Sequence, residues 1–361
     1  MLQQTQVKTV IPYWERWMRV LPTIESLARV KSQRLHKLWE GLGYYSRVRN
    51  LQKAARLIVE RHGGRFPDRF EEVLALPGVG RYTAGAICSM AFNQPTPVLD
   101  GNVTRVLTRL YCVRANSRAP KTRERLWKLA QALVREASRG CLDTPETCGR
   151  PAGANAGPCS ALNQALMELG ATVCIPRNPK CELCPVSPQC QARARGWENR
   201  LPKPGRTVAA IRRRQLAFVV ERNGRYLVRR RPDGGVNARL WEFPNSDANG
   251  GAKPGAMARA TLGAAPRRLR RLLLLQHSIT RYLIQLEVYY GVECAAGRVQ
   301  SGRGRWLTLK QMRHLPFAAA HGRIVRELAA RRCHRSPENK TGTKTRLRRR
   351  RGRTMLGSSA E

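Results

Sequence analysis

Four cysteines, Cys174, Cys181, Cys184 and Cys190, stand in the spacing C-x6-C-x2-C-x5-C within CIPRNPKCELCPVSPQC. Thiolates this close together, separated by Pro and polar residues, suit a tetrahedral metal ion or an iron–sulfur cluster and suit a hydrophobic core poorly. Spacing alone does not separate iron from zinc. A second arrangement, LALPGVGRYTAGAI at 74–87, reads as helix, tight Pro-Gly-Val-Gly turn, helix. Gly78 and Gly80 let the backbone turn sharply with its amides outward. The helix that follows starts with unsatisfied N–H groups and a positive dipole end, so the turn is a ready phosphate site. Third, PVLDGNVTRVLTRL sets Asp100 directly before a helix. Position alone makes Asp100 an N-cap; a catalytic role needs further support.

The elements that must hold these residues follow from periodicity. VIPYWERWMRVL, LHKLWEGLGYY, LQKAARLIVERHG and FEEVLAL carry apolar residues at helical spacing, so residues 1 to about 140 are expected to be helical. The Gly/Pro/Ala-rich stretch from Cys141 reads as a loop before the helix ALNQALMELGA, and WENRLPKPGRTVAAIRRR as a Pro- and Arg-rich linker. Cys88 and Cys112 lie in apolar helical contexts as core residues, and Cys141, Cys148 and Cys159 read as unliganded, with a second metal as the alternative. From residue 216 the period shortens: LAFVV, RYLVRRR, RRLLLLQHSI, RYLIQLEVYY and GRWLT predict strands, closed by a helix at AAAHGRIVRELAA. The expected organisation is a helical region at 1–195 with the cysteine loop at 174–190, a linker at 196–215, an α+β domain at 216–334 and a disordered basic tail at 335–361.

With 67 Lys plus Arg against 24 Asp plus Glu, the formal charge of the 361 residues is +43. A field of this sign and size favours a polyanion and argues against partners that are themselves cationic. There is no run of about 18 apolar residues, and the start MLQQTQVKTVIPYW lacks the succession of a secretory signal. A reducing compartment is expected, in which cysteines bind metal before they form disulfides. The Arg runs at 212–214, 229–231, 267–271 and 346–353 read as solvated surface that adds salt-sensitive, non-specific DNA affinity.

Taken together, MLQQTQV, GLGYYSRVRN, LPGVGRYTAG, LDGNV, NQALMELGA and the four-cysteine pattern resemble the MutY family of adenine DNA glycosylases, within the endonuclease III (helix-hairpin-helix) superfamily, over residues 1–334. The resemblance implies a mainly α helix-hairpin-helix glycosylase domain with an iron–sulfur loop, followed by a C-terminal α+β Nudix-like domain. It implies one 4Fe-4S cluster on Cys174, Cys181, Cys184 and Cys190. DNA-backbone contact is expected from Pro77, Gly78, Val79, Gly80 and Arg81, with Asn102 beside the DNA and Asp100 as the catalytic carboxylate. Tyr82 falls where the family sets a tyrosine beside the sugar; the lyase-competent branch has Lys there, and only an amine makes the Schiff base that leads to strand cleavage. Gln3, Gln4 and Thr5 resemble residues inserted near the extrahelical adenine, and Tyr44 resembles the wedge beside the 8-oxoguanine position.

The implied substrate is double-stranded DNA with adenine mispaired with 8-oxoguanine or guanine. Adenine is flipped out and its N-glycosidic bond is hydrolysed, leaving an abasic site. A monomeric, cytoplasmic, nucleoid-associated, bacterial-like protein without a membrane partner is expected. The second domain lacks an acidic R-E-x-x-E-E run, so magnesium-dependent pyrophosphatase activity is not expected. The family's recognition loop is matched best by Gln276–Arg281, where His277 and Thr280 keep polar contact while Ile279 and Arg281 depart from the pattern. In the family a Glu stands two residues before the Met that corresponds to Met1, and it protonates the leaving adenine. The sequence starts after it, so Met1 is expected to be an internal Met of a longer product. The alternatives are a catalytically impaired mismatch- or lesion-binding protein and an endonuclease III-like pyrimidine glycosylase; Tyr82 and the second domain speak against the latter.

Overall fold

A computed structural model describes residues 1–3, 5–140, 157–203, 209–248, 251–279, 281–292 and 304–333. The N-terminal part is helical: α1 (Val7–Val20), α2 (Ile24–Arg29), α3 (Ser32–Leu38), α4 (Ser46–His62), α5 (Phe70–Leu74), α6 (Arg81–Phe92), α7 (Gly101–Leu110), α8 (Pro120–Gly140), α9 (Pro158–Thr172) and the short α10 (Gln191–Ala194). A single 3-10 turn, Cys181–Leu183, lies inside the cysteine segment. Local chemistry sets several of these ends. Thr23 and Ser26 form a reciprocal capping box at α2, and α4 stops at Gly63, whose φ of 57° continues no helix.

Two apolar clusters organise the helices. One gathers Val10, Trp17, Leu35, Trp39, Tyr45 and Val48 from α1, α3 and α4. The other gathers Val98, Val103, Leu107, Leu126, Trp127 and Leu166 around α7. The turn at 76–80 joins them, with Leu76 against Ile58 on one side and Val73 packed with Ala84 and Cys88 on the other. Cys88 is buried, as a small core residue should be, and so is Cys159, whereas Cys112, also expected in the core, is only partly buried because the chain turns at φ 46° just after α7. Cys141, Cys148 and the tail at 335–361 lie outside the described residues.

The C-terminal part is β-rich: β1 (Ile211–Arg222), β2 (Arg225–Arg230), β3 (Trp241–Glu242), β4 (Asn245–Asp247), α11 (Pro254–Leu262), β5 (Arg267–Ile279), β6 (Tyr282–Val292), β7 (Gly304–Leu307), α12 (Leu309–Met312) and α13 (Ala319–Cys333). The sheet order is β3-β2-β1-β6-β5, with β4 on β1 and β7 on β2. Only β1 and β6 are parallel among the described pairs. Alternation along β1 sends Ala217 and Val219 beneath Ile324 and Leu328 of α13 and Leu216, Phe218 and Val220 beneath Ala258 and Leu262 of α11, so both faces are covered.

Two features differ from the periodic reading. β1 begins at Ile211, within the stretch read as linker, because Ile211–Gln215 run in register with Tyr282–Leu286. β3 and β4 have two and three residues, too few to show alternation. The two parts also share a core: Leu240 and Ala318 of the β-rich part are buried in the cluster of Trp39 and Leu35.

Candidate active site

The turn at 77–81, expected to take a phosphate, is held by its own geometry. The Val79 N–H donates to the Leu76 carbonyl at 3.0 Å, and Gly78 has φ +84° with Asn50 so close that a Cβ would lie 2.6 Å from the Asn50 Cβ. Only glycine fits there. Gly80 caps α6 without a side-chain acceptor, so the first amides of α6 remain open. Val79 faces inward against Leu76 and Val73. Pro77 lies half-buried between the exposed glycines of the turn and the buried Leu76. Arg81 is engaged within the protein: it pairs with Glu124 at 3.0 Å and stacks over Trp127 at 4.3 Å. Both partners of the pair are about half exposed, which leaves Arg81 weakly held.

Asp100 occupies the N-cap of α7, where its Oδ1 accepts the Val103 N–H at 2.7 Å. Its Oδ2 takes no protein hydrogen bond among the described residues. Tyr82, in the first turn of α6, lies half-buried against the α7 cluster with its hydroxyl 3.6 Å from Met167 Sδ. Burial, and then the charge of Asp100, push the Tyr82 hydroxyl up from its ordinary value. The tyrosine and the carboxylate therefore share one electrostatic environment. Gly85 makes the approach possible, since a Cβ there would meet the Pro97 carbonyl at 2.1 Å.

Helix α7 ties this acid to the cysteine segment. Arg105 donates from Nη2 to Asn102 Oδ1 at 2.9 Å and to the Gly170 carbonyl at 2.5 Å, and from Nε to the Cys174 carbonyl at 2.7 Å. One turn on, Arg109 is buried. It donates to the carbonyls of Ile175 (2.8 Å), Pro176 (3.0 Å) and Leu201 (2.9 Å) and approaches Cys174 Sγ at 3.3 Å. Asn102 is thus fixed by Arg105, with its Cβ under Gly170.

Cys174, Cys181, Cys184 and Cys190 line a single hollow of about 300 Å³, counting the part open to solvent, together with Arg109, Lys180, Arg193 and Glu198. All four are free of disulfides. Among the described residues no three or more His, Cys, Asp or Glu are drawn together closely enough to hold a metal ion, so the four thiols share the hollow without being gathered on one point. Burial, followed by the charges of Glu198 and the neighbouring thiols, raises the Cys181 thiol.

Of the other expected residues, Gln3 reaches Thr83 Oγ1 at 3.4 Å, beside Tyr82. Arg47 gathers the N-terminal segment: it donates to the carbonyls of Met1 (3.0 Å), Gln3 and Leu42 (3.0 Å), approaches Thr5 Oγ1 at 3.4 Å and stacks on Trp39 and Tyr44. Tyr44 is half exposed with φ 43°. His277, on β5, lies apart from this group and pairs with Ile284. Its Nδ1 is buried without a partner, and burial, then Arg323, lowers its affinity for a proton. Gln4 and Thr280 lie outside the described residues. Sequence reasoning missed Arg47, Arg105 and Arg109. The last two had a readable signal, since they recur at i and i+4 in the otherwise apolar-faced GNVTRVLTRL.

Residues 1–132 match the family described as "HhH-GPD superfamily base excision DNA repair protein", and residues 216–327 match "NUDIX domain". "Adenine DNA glycosylase" of Rattus norvegicus is 39% identical over 289 residues, covering 68% of this chain and 52% of its own length. The human protein of that name is 47% identical over 206 residues, covering 57% and 34%. That of Buchnera aphidicola subsp. Schizaphis graminum is 32% identical over 248 residues, covering 68% and 65%. The chain belongs to the HhH-GPD superfamily, in its MutY-like branch. It spans about half the length of the rat relative. Since the relatives include mammals, a plant, a yeast and bacteria, the likeness does not single out a bacterial source. No described helix is long and apolar enough to cross a membrane.

Proposed function

We propose that this MutY-like chain binds double-stranded DNA and releases adenine mispaired with 8-oxoguanine or guanine by hydrolysing the N-glycosidic bond. The observation that carries the reading is Asp100 at the N-cap of α7, one oxygen held by the Val103 amide, with its charge felt at Tyr82 in the first turn of α6, the helix whose first amides stay open after the 77–81 turn. Departure of adenine leaves positive charge on the sugar, and a carboxylate with one oxygen fixed by a backbone amide and the other open stabilises that charge before water adds. The position beside the carboxylate holds a phenol and no amine, so base release is expected without Schiff-base strand cleavage. The 77–81 turn takes the phosphate backbone, Gln3 and Thr5 stand at the adenine side, and Tyr44 fills the space beside the opposite base. His277 contributes polar contact from the β-rich part. Because α11 (PGAMARATL) has no carboxylate, that part serves recognition and not magnesium-dependent hydrolysis.

The four-cysteine hollow fits one 4Fe-4S cluster. Four thiols free of disulfides line one space, with the cations of Arg109, Lys180 and Arg193 around them, and thiolates are the ligands such a cluster takes. When bound, such a cluster supplies metal–thiolate bonds that cross-link the segment 174–190.

Single-turnover adenine release from a duplex with adenine opposite 8-oxoguanine tests the reading, with Asp100→Asn as control. Asn keeps the cap but not the charge, so release should fall by at least about 10²-fold while folding is kept. If release is equal in both, or strand cleavage accompanies it, the assignment is wrong. Tight binding without release by the native chain would leave a lesion-binding role. Iron, sulfide and visible absorption decide the cluster, and stoichiometric zinc without colour would replace it.

A further inference from the structure

The turn that carries Tyr44 is clamped to the β-rich part by two side chains one helical turn apart. Glu40 Oε1 accepts the Phe317 N–H at 3.1 Å, Glu40 Oε2 pairs with Lys37 Nζ, and Lys37 Nζ donates to the Leu315 carbonyl at 3.1 Å. The pair thus grips one donor and one acceptor of the segment 315–317. That segment is itself built into the recognition sheet: the Trp241 N–H donates to the Pro316 carbonyl at 2.8 Å, and the Ala318 N–H to the Trp241 carbonyl at 3.0 Å. Ala318 directly precedes α13, its carbonyl accepting the Gly322 N–H at 2.8 Å, and Ala320 and His321 are the second and third residues of that helix. On the opposite flank Arg49 Nη1 approaches the Ala238 carbonyl at 3.4 Å, and Leu240 and Ala318 bury themselves against Trp39 and Leu35.

The other end of the clamp is equally fixed. The Tyr13 hydroxyl donates to the Glu40 carbonyl at 3.0 Å, the Trp39 indole N–H to the Gly43 carbonyl at 2.9 Å, and Arg47 to the Leu42 carbonyl at 3.0 Å. Gly41, with φ +107°, sits so close to Tyr13 that a Cβ would lie 2.2 Å from its hydroxyl. The five residues from Glu40 to Tyr44 therefore have little freedom to flex.

We propose that Lys37 and Glu40 are positioning residues that lock the recognition sheet to the Tyr44 turn, so that the identity of the base opposite adenine is read by a wedge and a sheet held in fixed relation. The opposite-base part rests on the adenine glycosylase reading; the lock does not. The carboxylate is only 22% exposed, so its hydrogen bond to Phe317 is stronger than a surface contact.

The test uses the full chain and two duplexes carrying an uncleavable adenosine analogue opposite 8-oxoguanine or opposite guanine. Dissociation constants are measured for the native chain, Glu40→Ala, Glu40→Gln and Lys37→Met, with small-angle scattering of each free protein. Glu40→Ala should reduce the preference for 8-oxoguanine by about tenfold and broaden the scattering distribution. Glu40→Gln, which still accepts from Phe317, should keep most of both. If Glu40→Ala weakens both duplexes equally, or leaves preference and scattering unchanged, the proposal is overturned. If the native chain has no preference but Glu40→Ala still loosens the scattering, the lock stands and the opposite-base reading fails.

Discussion

His321 gives the β-rich part a pH dependence whose size follows from its surroundings. The imidazole is buried on α13, and its Nδ1 accepts the Phe243 N–H at 3.1 Å. That nitrogen must therefore be unprotonated in the folded protein. Burial is the main cause of a pKa brought down to about 4 from 6.5; Glu242 opposes the shift, while Arg231, His277 and Arg229 add to it. A base with a depressed folded pKa stabilises the fold fully above its unfolded value, and this contribution is lost as pH falls from 6.5 toward 4. Between about pH 7 and pH 5 the unfolded chain takes up nearly one proton that the folded chain refuses, a loss of roughly 2 kcal/mol. In His321→Asn the side-chain carbonyl stands where Nδ1 stood and accepts from Phe243 without titrating, so the variant should lack this slope. Urea unfolding of both proteins at these two pH values measures it. If the stability difference between native and variant is the same at both, the buried neutral imidazole is not the cause and the reasoning fails.

Three further substitutions probe the candidate site. Gly170→Ala would set a Cβ 2.7 Å from the Asn102 Cβ and 3.0 Å from its backbone; separating α9 from α7 should cost about 1–3 kcal/mol in thermal unfolding and slow adenine release. Arg109→Met leaves the carbonyls of Ile175, Pro176 and Leu201 without their donor, and a loss of about 3 kcal/mol or more should appear with reduced iron content. Gly78→Ala meets Asn50 at a positive φ. It should weaken binding to undamaged and mismatched duplex alike, because the role proposed for the turn is contact with backbone and not bases; a selective loss for the mismatch would contradict that role.

The parts of the site that could be read in advance are those encoded within a few residues. The Pro-Gly-Val-Gly turn and the cap before α7 are local patterns that fold as their composition requires, and the cysteine spacing brings its four thiols to the lining of one hollow. The arginine runs were not legible, because a strand's period of two splits them. Within 229–231, Arg229 and Arg231 both bind the buried Glu242, whereas Arg230 turns to the Arg239 carbonyl. Arg214 likewise holds the buried Glu287 while its neighbour Arg213 stacks over Tyr282. Runs read as solvated surface therefore contain structural ion-pair partners, chosen by glutamates on other strands, 11 to 73 positions away. Arg47 was hidden for the same reason: its acceptors lie at Met1, Gln3 and Leu42, and nothing in SRVRN marks it.

The arrangement of α7 has a consequence that none of its residues carries alone. Its first turn presents Asp100 and Asn102, and its second and third turns hold the cysteine segment through Arg105 and Arg109. Arg105 bonds Asn102 and Cys174 at once, so the segment cannot shift without drawing on a residue two positions from the carboxylate. A short helix transmits such a displacement along its axis because its backbone bonds leave it little to yield. Loss of order in 174–190 should therefore lower base release without any change at Asp100 or Tyr82, and should leave the 77–81 turn, packed on α4 through Leu76 and Ile58, able to hold DNA. Binding would survive where chemistry does not. On the proposed reading the cysteine segment would act on base release by fixing α7, and would need no part in the reaction itself.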